Sequence, residues 1–231
     1  MRLMTLPGVF RPISDTWLLA DALDREPLPP GARVLDLCSG SGALAIRAAL
    51  AGREPRGGGA PARGSREVVA VDVSRRAVLT IRINARLNGV RVDARRGDLF
   101  GAVAGERFDA IVSNPPYVPA ATDDLPTRGP TRAWDAGRDG RALLDRICAG
   151  AARHLNPGGV ILLVHSSLLG YEPTAEALGE LEVELAVAER GRLGPLMRAR
   201  RAEGLIPQVD HEDVLIIRGR NTAPTIVGRP R

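Results

Sequence analysis

At 231 residues, 44% of them hydrophobic, the chain is long enough to bury one sizeable core, and a single domain is expected. A formal charge of +5 and a pI of about 10.4 invite a polyanion partner, yet all 32 basic residues are arginine and they are scattered. That argues for a GC-rich genome more than for a phosphate-binding surface. Two cysteines without CxxC spacing and three isolated histidines argue against a disulfide framework and a protein-bound metal. The apolar part of MRLMTLPGVFRP is too short for a signal peptide, and the longest apolar run, VILLV, is strand-sized. A soluble, cytoplasmic protein is expected.

Strand-like and helix-like segments alternate. A first helix spans about 15–23, before PLPPG (27–31). ARVLDL (32–37) reads as a buried strand and ALAIRAALA (43–51) as a helix. The Gly/Pro/Arg-rich stretch 53–67 lacks periodicity and reads as a mobile insert. EVVAVDV (67–73) is a strand; Ser74 caps the next helix, which Gly89 ends. VRVDAR (90–95) alternates like an edge strand, and FDAIVS (108–113) is buried. A helix at 140–155 stops at NPGG, before the strand 160–165. A helix near 172–181 and strands near 183–189 and 213–219 follow, with a disordered tail over 220–231. The alternation predicts an α/β fold, a mostly parallel sheet with helices on both faces.

Chemistry concentrates at strand ends. Between the first strand and its helix lies Asp36-Leu37-Cys38-Ser39-Gly40-Ser41-Gly42, where glycines allow a sharp turn and close ligand approach. GSGALA also fits the dinucleotide pattern G-x-G-x-x-A, so NAD is weighed, but Asp36 beside the loop would repel a pyrophosphate. A ligand with a sulfonium and an ammonium suits that acid better, as in S-adenosylmethionine (SAM). Asp72 ends the next strand, where a carboxylate can accept from ribose hydroxyls. Asp98 follows the edge strand, within reach of an adenine amine.

Asn114-Pro115-Pro116-Tyr117 closes the strand 108–113, because two prolines cannot continue a ladder. Asn114 Oδ1 and the Pro115 carbonyl can accept the two hydrogens of one NH₂, and the Tyr117 ring offers a face to a planar group. The turn is thus suited to present a planar NH₂, amide or aromatic amine, to a methyl sulfonium.

With F-x-P-x-x-D-T (10–16), DLCSGSG (36–42), VDVSRRAV (71–78), GDL (97–99), NPPYVP (114–119) and AWDAGRDGRALLDR (133–146), the chain resembles the class I SAM-dependent methyltransferases. Among these it is similar to the HemK-type protein-glutamine N5-methyltransferases, in their short eukaryotic and archaeal branch. The resemblance implies a Rossmann-like, seven-stranded sheet with the last strand antiparallel. It implies a segment 1–30 helical and covering the SAM site, a catalytic domain over 31–219, and S-adenosylhomocysteine as product. Carried onto this sequence, it places Thr16, Asp36, Cys38, Gly40, Gly42, Asp72, Val73, Asp98, Leu99 and Asn114 around SAM. Asn114, Pro115 and Tyr117 would be catalytic, with Pro116 and Trp134 beside the acceptor and no metal.

The acceptor so implied is the glutamine of a protein such as a release factor. N6-methylation of adenine in RNA or DNA, and N-methylation of a small molecule or peptide, are the alternatives. Relatives in the eukaryotic branch depend on a zinc-binding activator that covers the edge by the third strand. Here Arg91, Asp93 and Arg95 make that edge charged, so solubility without an activator is expected. Cys38 stands where many relatives have glycine, and a non-positive φ is expected there.

Overall fold

Apolar runs buried on both faces become the middle of one sheet. In the computed structural model, which describes residues 1–52 and 66–224, the strands are β1 (Arg33–Leu37), β2 (Glu67–Asp72), β3 (Asp93–Arg96), β4 (Phe108–Ser113), β5 (Leu155–Ser166), β6 (Glu182–Arg192) and β7 (His211–Arg220). The helices are α1 (Ser14–Arg25), α2 (Ala43–Ala51), α3 (Arg75–Leu87), α4 (Ala142–His154), α5 (Glu172–Leu178) and α6 (Pro195–Ala202). The sheet order is β3-β2-β1-β4-β5-β7-β6. All neighbours are parallel except β7, which runs antiparallel to β5 and β6. Most of the expected insert, residues 53–65, and residues 225–231 of the expected tail lie outside the described residues.

Alternate residues of each strand feed two cores. Val34, Ala70, Val112 and Leu162 pack under α1, α2 and α3. Leu35, Val71, Ile111 and Leu163 pack under α4 and α5. Each fully buried leucine or isoleucine among them contributes about 2 kcal/mol. The order runs outward from β1 through β2 to β3, then restarts at β4. The β1–β4 boundary is therefore a switch point, where a crevice opens beyond the strands' C-terminal ends. Leu37 pairs with Ser113, so the glycine loop and the NPPY turn emerge side by side at that crevice.

Several expectations shift. Val90 and Val92 tuck against the first core instead of extending the edge strand, so β3 spans only four residues and Arg91 lies outside it. Its edge is screened by Arg95, which pairs with Asp93 at 2.7 Å and with Glu106, itself 2.8 Å from Arg33. NPGG does not precede β5 but bulges within it, with a register shift between Phe108 and Ala110 and Gly158 at φ 78°. The bulge also holds the start of the expected tail. Arg220 closes β7, and Asn221, 8% exposed, donates to the Leu155 carbonyl at 3.2 Å and accepts from Gly158 N at 2.7 Å. Helix α6 was not anticipated.

Candidate active site

Between Leu37 and Ala43 the chain reverses through left-handed torsions: φ is 55° at Cys38, 55° at Gly40 and 83° at Gly42. A Cβ on Gly42 would lie 3.1 Å from Ile81 Cγ1, so glycine answers both torsion and packing there. Cys38 departs from its expected non-positive φ, because the loop must rise off the sheet in one residue; a non-glycine there costs about 1–2 kcal/mol. The loop is held from below. Asp36, fully buried, accepts from Ser39 Oγ at 2.5 Å and Ala45 N at 3.1 Å. Gly40 N donates to Asp72 at 2.9 Å. Asn84, also fully buried, donates to the Ser41 carbonyl at 2.9 Å.

Asp36 therefore underlies the loop and is absent from the cavity wall, where the sequence reading had it facing the ligand. Its Oδ1 is buried without a hydrogen-bond partner among the described residues. Burial pushes its carboxyl up to about 7. A positive charge above the loop would relieve that unmatched oxygen.

Asp72 lines the cavity at the end of β2, accepting from Ser74 N at 2.8 Å as well as from Gly40 N. Burial raises its pKa. Val73 follows on the wall, 40% exposed. Asp98 is on the wall too, though its carboxylate pairs with Arg146 at 2.7 Å. Leu99 has φ 48°; it and Cys38 are the two non-glycine residues with positive φ among the described residues, and both line this cavity. Strain gathered at one site marks a site with a use. This donor set suits the sulfonium nucleoside expected from the sequence.

The expected helical segment over 1–30 is helical only from Ser14. Before it an extended strap lies on α3, gripped by two asparagines. Met4 N donates to Asn84 Oδ1 at 2.9 Å, while Asn84 Nδ2 donates to the Met4 carbonyl at 2.8 Å. Asn88 grips Arg2 in the same way, at 2.8 and 2.6 Å. The spacings match: four helical residues rise about 6 Å, and two extended residues about 6.6 Å. The strap then crosses the loop, and Pro7, Gly8, Val9 and Phe10 wall the cavity.

At the other end, β4 stops at Ser113 and the NPPY turn begins. Asn114 Nδ2 donates to Thr16 Oγ1 at 3.0 Å, which leaves Oδ1 as the acceptor of a side chain on the cavity wall. Thr16 itself is 5% exposed and stands behind that wall, as does Gly42; the sequence reading had both at the cofactor. Pro115, Pro116, Tyr117 and Trp134 all line the cavity. The Tyr117 hydroxyl donates to Asp15, 6% exposed, and the tyrosine pKa is raised by burial and by that carboxylate. Ser166 Oγ donates to Glu212, whose pKa burial raises.

The A-W-x-x-G-x-x-G spacing has a structural cause. Val118 N donates to the Trp134 carbonyl at 2.8 Å and Ala136 N to the Val118 carbonyl at 3.0 Å, clamping the two loops together. Gly140 has φ 73°, and a Cβ on it would fall 2.5 Å from the Tyr117 carbonyl oxygen.

Sequence reasoning missed Asp15, Glu212 and the wall formed by the β6–β7 connection. Asp15 adjoins Thr16 in the D-T pair, the one available signal. The whole cavity measures about 1210 Å³, above the roughly 300–1,000 Å³ of a single-ligand site. It has room for a nucleoside cofactor and an acceptor side chain together. Among the described residues, no group of three or more His, Cys, Asp or Glu side chains is placed to hold a metal ion.

A family model described as "Methyltransferase small domain" matches residues 1–127. A putative protein N5-glutamine methyltransferase of Methanocaldococcus jannaschii is 31% identical, over 82% of this chain and 88% of its own length. A release factor glutamine methyltransferase of Gloeobacter violaceus is 34% identical over 77% of this chain; the match spans 60% of that longer protein. The E. cuniculi Mtq2–Trm112 complex, described as responsible for methylation of the eRF1 translation termination factor, shares the fold. Its TM-score is 0.60 at 24% identity, covering 93% of this chain and 99% of that one.

Proposed function

Since this chain belongs to the methyltransferase small-domain family, and within it to the HemK-type protein-glutamine methyltransferases, we propose that it methylates the side-chain amide nitrogen of a glutamine in a protein, most simply a release factor. SAM supplies a methyl group on a positively charged sulfur. Cys38, Gly40, Asp72, Val73, Asp98 and Leu99 would hold it, with the unmatched Asp36 carboxylate beneath favouring its charge.

One observation carries the reading: Thr16 takes the Asn114 NH₂, so Oδ1 is an acceptor. An amide nitrogen is a weak nucleophile because its lone pair is shared with its carbonyl. Asn114 Oδ1 and the Pro115 carbonyl accept its two hydrogens and turn that lone pair towards the cofactor end. Fixing this orientation is worth several kcal/mol of barrier, and the two acceptors stabilise charge that develops on nitrogen. Methyl transfer would form the N–C bond as the cofactor's S–CH₃ bond breaks, and the proton held at Asn114 Oδ1 would then pass to water.

A nucleic-acid acceptor fits less well. The relatives reported above are named for glutamine in proteins, whereas the cavity wall carries arginines such as Arg128 and Arg132 as well as acids such as Asp15 and Glu212, so its charge does not select the acceptor. The screened β3 edge supports activity without an activator subunit. No helix among the described residues is long and apolar enough to cross a membrane, and a release-factor acceptor would place the enzyme in the cytoplasm.

The test is direct. The purified chain alone is incubated with methyl-labelled SAM and either release factor, its Gln→Ala variant in the Gly-Gly-Gln loop, or total RNA. Label in the first only, recovered as N5-methylglutamine, is expected. Label in RNA, or none in release factor, overturns the proposal.

A further inference from the structure

β6 and β7 are antiparallel neighbours that a two-residue hairpin would suffice to join. Instead residues 193–210 intervene, and they fold back over the strand ends where the cavity lies. Gly194, Pro195, Leu196 and Met197 line that cavity. The segment has its own small core, separate from both sheet faces: Leu193, Met197 and Ile206, 2%, 5% and 7% exposed, close around Val118. Tyr117, Trp134 and Leu196 pack against it. Gly194 N also donates to Glu212 at the start of β7.

A second tie is polar. Arg200 on α6 meets Asp135 at 2.6 Å, with side chains only 16% and 13% exposed. Asp135 forms the bridge with Val118 that clamps the NPPY turn to the Trp134 loop. Arg200 Nε is buried without a hydrogen-bond partner among the described residues. Such a pair contributes little stability, since desolvation offsets its attraction and an apolar pair of the same volume would often serve as well. What it does secure is one geometry.

Tyr117 is thus held from three sides: Asp15 takes the hydroxyl, the second sheet core packs against the residue, and the 193–210 unit packs against it as well. We infer that residues 193–210 form the acceptor-side wall of the cavity, and that Arg200 is a positioning residue which, through Asp135, sets the pose of Tyr117 and Trp134 for the acceptor amide. The kinetic part of this inference rests on the glutamine reading; its structural part does not.

Three variants test it: Arg200→Ala, Arg200→Lys and Asp135→Asn. With release factor as acceptor, Arg200→Ala raises the acceptor KM about tenfold or more while SAM affinity, measured by calorimetry, holds. Arg200→Lys, which keeps one charged contact to Asp135, falls between. Asp135→Asn matches Arg200→Ala, and combining the two adds nothing further. In a Trp17→Phe background, Trp134 is the remaining tryptophan; its emission shifts to the red and its acrylamide quenching rises in Arg200→Ala. An unchanged acceptor KM, or SAM affinity lost in the same proportion, overturns the inference. Should the parent chain methylate no glutamine, the glutamine reading falls and the fluorescence decides: unchanged Trp134 emission and quenching overturn the positioning role. If Arg200→Ala does not fold, Arg200→Lys and Asp135→Asn carry the same comparisons.

Discussion

The two ends of the cavity are built from different materials. The cofactor end is shaped through backbone: left-handed torsions at Cys38 and Gly40 on the wall and at Gly42 behind it, a strap gripped through its own amides, and carboxylates on and beneath the wall that bind main-chain N–H groups. At the acceptor end the wall is side chains: Tyr117, Trp134, Leu196 and Met197, steadied by the Arg200–Asp135 pair. Left-handed turns favour glycine, and a side chain there, as at Cys38, costs about 1–2 kcal/mol. Side-chain walls can be rebuilt from any apolar set of similar volume. One fold can thus keep a cofactor and change its acceptor.

The sharpest way to break this division is Asn114→Ala. It should cut turnover by about 10²-fold or more while SAM affinity is nearly unchanged. Equal loss of both would mean that the two ends are not separable. Gly140→Ala comes next. The added Cβ meets the Tyr117 carbonyl oxygen at 2.5 Å in a left-handed torsion, so a destabilisation of about 2–3 kcal/mol is expected, read as a fall in Tm with the acceptor end affected first. A stability equal to the parent's would show that the clamp between the loops yields.

Asp36 sharpens the cofactor side. Buried, it titrates near 7 instead of 3.8, so the folded chain keeps this proton longer than the unfolded chain does. Its contribution is complete below about pH 4 and is lost as pH rises through 7. A sulfonium above the loop recovers part of that loss. The Tm gain on adding SAM should therefore be larger at about pH 8 than at about pH 5, and Asp36→Asn should flatten the difference. An equal gain at both pH values would remove Asp36 from cofactor binding. The smallest effect is Cys38→Gly, which relieves a left-handed side chain and should stabilise by about 1 kcal/mol, as seen in denaturant midpoints. A loss instead would mean that the thiol's packing outweighs its torsion.

The same division decides what was legible in the sequence. Strands β1, β2, β4 and β5 were readable because burial on both faces demands continuous apolar runs, and the glycine loop because left-handed turns demand glycine. The roles of Thr16 and Asp36 were displaced by one layer. Their residue types follow from the chemistry, but whether a carboxylate faces the ligand or the loop beneath depends on torsions that composition does not carry. Helix α6 was hidden by its charge: LMRARRA buries only Met197, so it lacks an apolar stripe. Gly194 before it, Pro195 at its first position and Gly204, at φ 72°, after it were its one signature. Arg200 and Asp135 lie far apart in the chain, and nothing local marks two of many charges as a pair.

Asn84 has a consequence of its own. One buried amide touches both the Met4 backbone and the Ser41 carbonyl, so the leading residues and the nucleoside loop share a fastener. Loading the loop should then slow hydrogen–deuterium exchange at the Met4 amide, a readout of occupancy at a residue that need never meet the nucleoside.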